Sequence, residues 1–296
     1  GVPASKEIAG LGRLARMLAW EHNLMFAPFA YFLLWRPQLA CAIEAWRRRS
    51  GARIEDWLRA LGELEALTSL ATHAHDHPQR PFAEIAEAGA GPRFEAVALA
   101  HPLLATCVPN DVSLGGDGAR LIVLSGSNMS GKSTLMRTVG VNTVMALAGA
   151  PVRASRLCLT PLAVGATLRI QDSLMAGTSR FYAEVSRLRQ LVELAGGSVP
   201  LLFLVDEILA GTNSADRRVG AAAVLRGLVE RGALGIASTH DLALTEIVSD
   251  LQGRAANMHF EDQLQDGRLH FDYRLRAGVV QRSNALALMR AVGLDV

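Results

Sequence analysis

Leu121-Ile122-Val123-Leu124-Ser125 followed by Gly126-Ser127-Asn128-Met129-Ser130-Gly131-Lys132-Ser133 decides the reading of this chain. An apolar strand runs into G-x-x-x-x-G-K-[ST], and TLMRTVGVNTVMALA then continues as a helix. That strand–turn–helix context is the one a phosphate loop requires. Gly126 and Gly131 let the backbone curl so that N–H groups face phosphate oxygens, and the helix N-terminus adds partial positive charge. Lys132 supplies a point charge to the β- and γ-phosphates, and the Ser133 hydroxyl reaches Mg²⁺. Ser127, Asn128, Met129, Ser130 and Thr134 complete the candidate cradle. Lysine usage supports this. The chain has two lysines, Lys6 and Lys132, against 28 arginines. A chain that uses Arg for its surface cations keeps a compact ammonium where a planar guanidinium does not substitute.

Downstream, Leu201-Leu202-Phe203-Leu204-Val205 is a fully apolar strand ending in Asp206-Glu207. Two acids at the end of a buried strand are costly unless they meet a cation or water. Open α/β sheets place their ligands at that edge. Asp206 is the expected Mg²⁺ partner, and Glu207 is placed to orient or deprotonate the attacking water. A third apolar strand, ALGIA, leads to Ser238-Thr239-His240-Asp241. His240 is expected to hydrogen-bond a γ-phosphate and register its loss.

Around these motifs strands alternate with helical stripes: Val185, Leu188 and Val192, then Ala221, Leu225 and Leu228. The fold expected is α/β, a mostly parallel sheet flanked by helices. Leu269, Phe271, Tyr273 and Leu275 alternate with polar residues and read as an antiparallel edge strand. A small all-α segment comes first. Leu39, Ile43 and Trp46 form one stripe and Leu64, Leu67 and Ala71 another. Arg47-Arg48-Arg49 before Ser50-Gly51 read as a helix end with a left-handed glycine cap, rather than as a phosphate contact. His73, His75 and His77 read as a helix-terminal loop rather than a metal site. Prolines 78, 81 and 92 with Gly89 and Gly91 mark a linker. The expected domains are thus 1–80, helical; 81–95, linker; and 96–296, the nucleotide domain.

Composition excludes several classes. The chain has 296 residues, 50% of them apolar, and a formal net charge of +2. It can bury a substantial core and carries no strongly basic field. Cys41, Cys107 and Cys158 are widely spaced, which fits a reducing cytosol and neither a disulfide scaffold nor a zinc ribbon. The most apolar run, Leu24 to Trp35, is broken by Pro28 and is shorter than the roughly 20 residues of a spanning helix. No signal peptide is visible, and the expected location is cytoplasmic. Gly1 in place of Met suggests a fragment or a processed chain. The transporter signature LSGGQ is absent, and no acceptor-pocket motif suggests a small-molecule kinase.

GSNMSGKST, DSLMAGTSRFYAE, LLFLVDEILAGTNSAD and STHD together resemble the ATPase domain of the MutS family, the mismatch repair branch of the ABC-type ATPases. The likeness runs from about Phe94 to the end. The resemblance implies a P-loop, ABC-type, Mg-dependent ATPase whose homodimer sandwiches ATP and whose nucleotide state is coupled to DNA. It implies that Gly177, Ser179 and Phe181 form a signature segment, with Ser179 reaching in trans to the partner's γ-phosphate; an ordinary helix N-cap would use the same residue type. It implies that Gly211, Thr212, Asn213 and Ser214 form a dimer-contact loop. Departures are visible. Cys107 or Val108 stands where the family has an aromatic for adenine, so apolar contact and weak base selectivity are expected. Arg180 replaces the usual Thr. No mismatch-reading domain lies in these residues, and no nuclease-like tail, so the nuclease-bearing branch is the poorer likeness; the signature and switch regions look more like short MutS-related proteins that lack mismatch readers. The alternative reading is a nucleotide-gated ABC-type switch acting on protein or membrane partners.

Overall fold

The structure is a computed structural model, and it describes residues 2–23, 25–87, 89, 91–127, 129–168, 180–209, 213–265 and 268–280. The chain divides into two compact units, Gly1–Thr72 and His73–Val296.

The first unit is helical: α1 (Ala4–Ala19), α2 (Ala27–Phe32), α3 (Trp35–Ser50) and the greater part of α4 (Ile54–Asp76). Two indole N–H groups fasten α1 to α3. Trp35 donates to the Met17 carbonyl and Trp46 to that of Glu7, at 2.8 and 2.9 Å. Leu39 and Trp46 are buried, as a core stripe requires. The second stripe is a correction: Leu64 and Leu67 are exposed, and α4 buries no residue. The triple arginine does end α3, but Gly51 is right-handed at φ −58° and opens a 3₁₀ turn, so there is no left-handed cap. Arg47 and Arg48 both bond Glu44 and hold its carboxyl down to about 2. The histidines lie at the end of α4, with His73 and His75 in its last turn.

The second unit is a mixed α/β domain. Residues 81–95, read as a linker, carry β1 (Glu84–Ile85) and the start of β2 (Arg93–Leu99). With β3 (Asn110–Gly115) and β5 (Arg156–Leu159) they form a four-stranded sheet in the order β1-β5-β2-β3. The larger sheet contains β4 (Leu121–Ser125), β6 (Ala163–Thr167), β7 (Leu201–Val205), β8 (Leu234–Thr239), β9 (Ala255–His259) and β12 (Arg276–Ala277). Its order is β12-β9-β4-β8-β7-β6, with only the β12–β9 pairing antiparallel. The alternation from Leu269 to Leu275 is the other correction. Its first part belongs to a separate hairpin, β10 (Asp262–Gln265) with β11 (Arg268–Phe271), and Tyr273 lies past the strand at φ +55°.

Period-2 alternation divides each central strand between two cores. Ile122, Leu124, Leu202 and Leu204 face α5 (Lys132–Leu147) and the smaller sheet, meeting Leu135, Met136 and Val139. Leu121, Val123, Leu201, Phe203 and Val205 face the other way. They meet Leu188 and Leu191 of α6 (Arg180–Leu194), Leu225 and Leu228 of α7 (Ser214–Glu230), and Ile247 of α8 (Ile247–Asp250). Packing is close at Gly235, where a Cβ would come within 2.4 Å of the Phe203 ring. No helix among the described residues is long and apolar enough to cross a membrane. The three cysteines are free.

Candidate functional site

The three sequence motifs follow β4, β7 and β8, which are parallel neighbours with β8 in the middle. Their C-terminal ends therefore meet at one edge of the sheet. Register makes the meeting close: Leu124 pairs with Ser238, Ser125 with Thr239, and Val205 with Ala237.

The loop after β4 is shaped by backbone that other residues resist. Gly126 sits at φ +145° and Gly131 at φ +108°. A Cβ on Gly126 would stand 2.9 Å from Ser130 Oγ and 3.0 Å from the Phe260 carbonyl oxygen. Met129 is left-handed at φ +67° and 84% exposed, so it packs little against the described residues. Helix α5 opens at Lys132 with no side-chain cap and no acidic residue in its first turn. Its first N–H groups lack intrahelical partners, and such an end attracts an anion. Ser127 Oγ and Ser130 Oγ are buried without a hydrogen-bond partner among the described residues. Uncapped amides, two orphaned hydroxyls and a glycine cradle fit a phosphate group. Asn128 lies outside the described residues.

Lys132 is buried, and its Nζ donates to the Gly126 and Ser127 carbonyls, both at 2.8 Å. Burial pushes its ammonium below the ordinary 10.5, against the opposing pull of Asp206 and Glu207. A buried cation with two acids nearby is poised for a polyanion.

One hydrogen-bond chain joins the loop to the acids. Ser133 Oγ donates to Asp206 Oδ2 at 2.5 Å, and Ser238 Oγ donates to Asp206 Oδ1 at 2.5 Å. Ser238 Oγ also accepts the Glu207 N–H at 2.9 Å. Glu207 Oε1 lies 2.8 Å from His240 Nε2. Glu207 is left-handed at φ +50°, turning its side chain away from the line of the strand. The oxygens of Ser133 and Asp206 are the hard donors that Mg²⁺ prefers.

Beside the loop is a recess lined by Cys107, Val108, Thr134 and, unforeseen from the sequence, Tyr273. The Tyr273 ring lies against Gly131, where a Cβ would meet Cδ1 at 3.2 Å. Asn110 holds this segment, donating to the Tyr273 carbonyl at 2.9 Å and accepting the Leu275 N–H at 2.7 Å. The aromatic was sought before the loop and arrives after it: Tyr273 reads in sequence as part of the edge strand, whereas it is left-handed and lies past β11. Ser238 was given no role from the sequence, although it opens the strand-end motif. Gly177, Ser179, Gly211 and Thr212 lie outside the described residues. Asn213 caps α7, accepting the Asp216 N–H at 2.9 Å.

Fold and site together define a mixed α/β domain, with sheets flanked by helices and a charged site at the C-terminal edge of the larger one. The chain belongs to the MutS domain V family, whose pattern matches residues 122–295. It is 32% identical over 245 residues to Endonuclease MutS2 of Thermus thermophilus, covering 80% of this chain and 30% of that protein. It is 31% identical over 253 residues to DNA mismatch repair protein MutS of Geobacillus thermodenitrificans, covering 82% and 27%. Against DNA mismatch repair protein MSH6 of Arabidopsis thaliana it is 30% identical over 261 residues, covering 81% and 20%. The chain thus spans less than a third of the length of these relatives. The MutS2 relative is as similar as the mismatch repair proteins, so this region does not set the chain apart from the nuclease-bearing branch.

Proposed function

We propose that this chain is a P-loop, ABC-type ATPase module that binds and hydrolyses Mg–ATP and couples its nucleotide state to DNA binding in repair. The observation that carries the reading is the continuous chain Ser133–Asp206–Ser238–Glu207–His240 facing the uncapped start of α5.

In this reading the amides of Gly126–Ser133 and the Lys132 ammonium hold the phosphates. Thr134, Cys107 and Val108 pack near the base, and Tyr273 stacks on it, which supplies the aromatic surface the preceding loop lacks. Ser133 and Asp206 would hold Mg²⁺, which supplies charge neutralisation on the phosphates when bound. Glu207 orients a water and accepts its proton, and His240 keeps the Glu207 carboxylate in place while reaching toward the γ-phosphate. Fixed charges aimed at the transferring group supply most of such catalysis. Ser179 acts in trans, so that a homodimer closes over two ATP molecules and hydrolysis releases it. The DNA clause rests on the relatives named for mismatch repair.

Phosphate release and retention on mismatched and branched duplexes, measured side by side at stated salt, test the reading. Lys132→Ala should abolish nucleotide binding. Glu207→Gln should keep binding and lose turnover. ATP-independent DNA retention, or unchanged ATP affinity in Lys132→Ala, would overturn it.

A further inference from the structure

Glu184 is the one buried carboxylate among the described residues, at 4% exposure. It sits in the second turn of α6, and its Oε1 accepts the backbone N–H of Leu209 at 2.5 Å. Leu209 follows the acid pair by two residues. Both Glu207 and Leu209 are left-handed, at φ +50° and +54°. Non-glycine residues resist that conformation, and two of them within three residues hold only where the surroundings over-determine the backbone. Leu209 is secured three ways. Its N–H goes to Glu184, its carbonyl accepts from Arg217 Nε of α7 at 3.1 Å, and its side chain packs at Gly220, where a Cβ would approach Leu209 Cδ1 to 3.0 Å.

We propose that Glu184 is a positioning residue: through the Leu209 amide it holds the left-handed turn that aims Glu207 at His240, and so ties the hydrolytic acid to the place of α6. The inference rests on the ATPase reading above and adds a regulatory connection to it. Helix α6 begins at Arg180, next in sequence to Ser179. A helix whose start answers to the partner's nucleotide thereby also sets the geometry of its own chain's Glu207. Among the described residues, the route from Glu184 to the acid pair runs through the Leu209 backbone amide.

The test compares the whole chain with Glu184→Gln and Glu184→Ala, using Mg–ATP. Nucleotide Kd and single-turnover hydrolysis are measured, with hydrogen exchange at the Leu209 amide. Glu184→Ala should lower the hydrolysis rate about 10- to 100-fold, with Kd within about threefold, because a displaced water-orienting group costs rate rather than affinity. Glu184→Gln retains an acceptor oxygen and should recover most of the rate. Exchange at Leu209 should quicken in the alanine variant and much less in the glutamine variant. In a Glu207→Gln background, Glu184→Ala should add little further loss. Parent-like hydrolysis in Glu184→Ala overturns the proposal, as does a fall in rate that glutamine fails to rescue. A parent chain that binds no nucleotide overturns the ATPase reading itself, and this proposal with it.

Discussion

Ser238→Ala is the most demanding test of the site, because one hydroxyl serves both acids. The Ser238 side chain is fully buried. It donates to Asp206 at 2.5 Å and accepts the Glu207 N–H at 2.9 Å. Alanine removes both bonds at once and fits without strain. The lost bond to a charged group is worth about 1.5–3 kcal/mol, and an unpaired buried amide costs about 1–3 kcal/mol. Part of this is recovered as the loop relaxes, leaving roughly 2–4 kcal/mol of destabilisation. For a domain of this size that lowers Tm by roughly 5–12 °C. If Asp206 and Glu207 lose their orientation to the same extent in the transition state, a loss of about 1.5–3 kcal/mol slows turnover roughly 10- to 150-fold. Scanning calorimetry reads the first quantity and phosphate release the second, at saturating Mg–ATP. Parent-like turnover together with a parent-like Tm would refute the view that this hydroxyl organises the acids.

Lys132→Met should raise stability while removing nucleotide binding. The folded ammonium titrates below 10.5, so the unfolded chain binds more protons between the two values, and stability rises with pH across that window. The gain from Met is therefore largest near neutral pH and shrinks as pH approaches 10.5; denaturant titrations at several pH values read it. Tyr273→Ala should weaken adenine nucleotides about 5- to 30-fold and leave inorganic triphosphate unaffected, while Tyr273→Phe keeps most of the affinity. Isothermal titration with both ligands decides this. Mixing Lys132→Ala with Ser179→Arg chains should restore one of the two sites in each mixed dimer if Ser179 acts in trans, and no recovery in stable mixed dimers refutes that arrangement.

The central strands were readable because each carries a short apolar run that stops at a polar or glycine residue, as in LIVLS before Gly126 and LLFLV before Asp206. Their motifs could be placed at one edge because parallel strands expose the same ends together. What sequence withheld was mostly non-local. Tyr273 reaches the loop through Asn110, 163 residues earlier, and no periodicity encodes that meeting. Glu184 looked like any polar residue of an amphipathic helix until its partner, a backbone amide with no side-chain signature, came into view. The second stripe of the helical unit failed for the opposite reason. Leu64 and Leu67 have helical spacing, but spacing says which residues share a face and not whether anything lies against it.

The Asn110–Tyr273 tie also bears on when the site comes into being. The phosphate cradle is assembled from eight consecutive residues and needs only β4 and the start of α5. The base recess draws on Cys107 and Val108 at one extreme and Tyr273 at the other. During synthesis, therefore, a ribosome-bound chain completes its cradle long before it can enclose a base, and contacts of such sequence separation form late. A nascent domain of this kind would be unready for the proposed nucleotide until nearly all of the sheet has emerged, so tight nucleotide capture would report an assembled sheet.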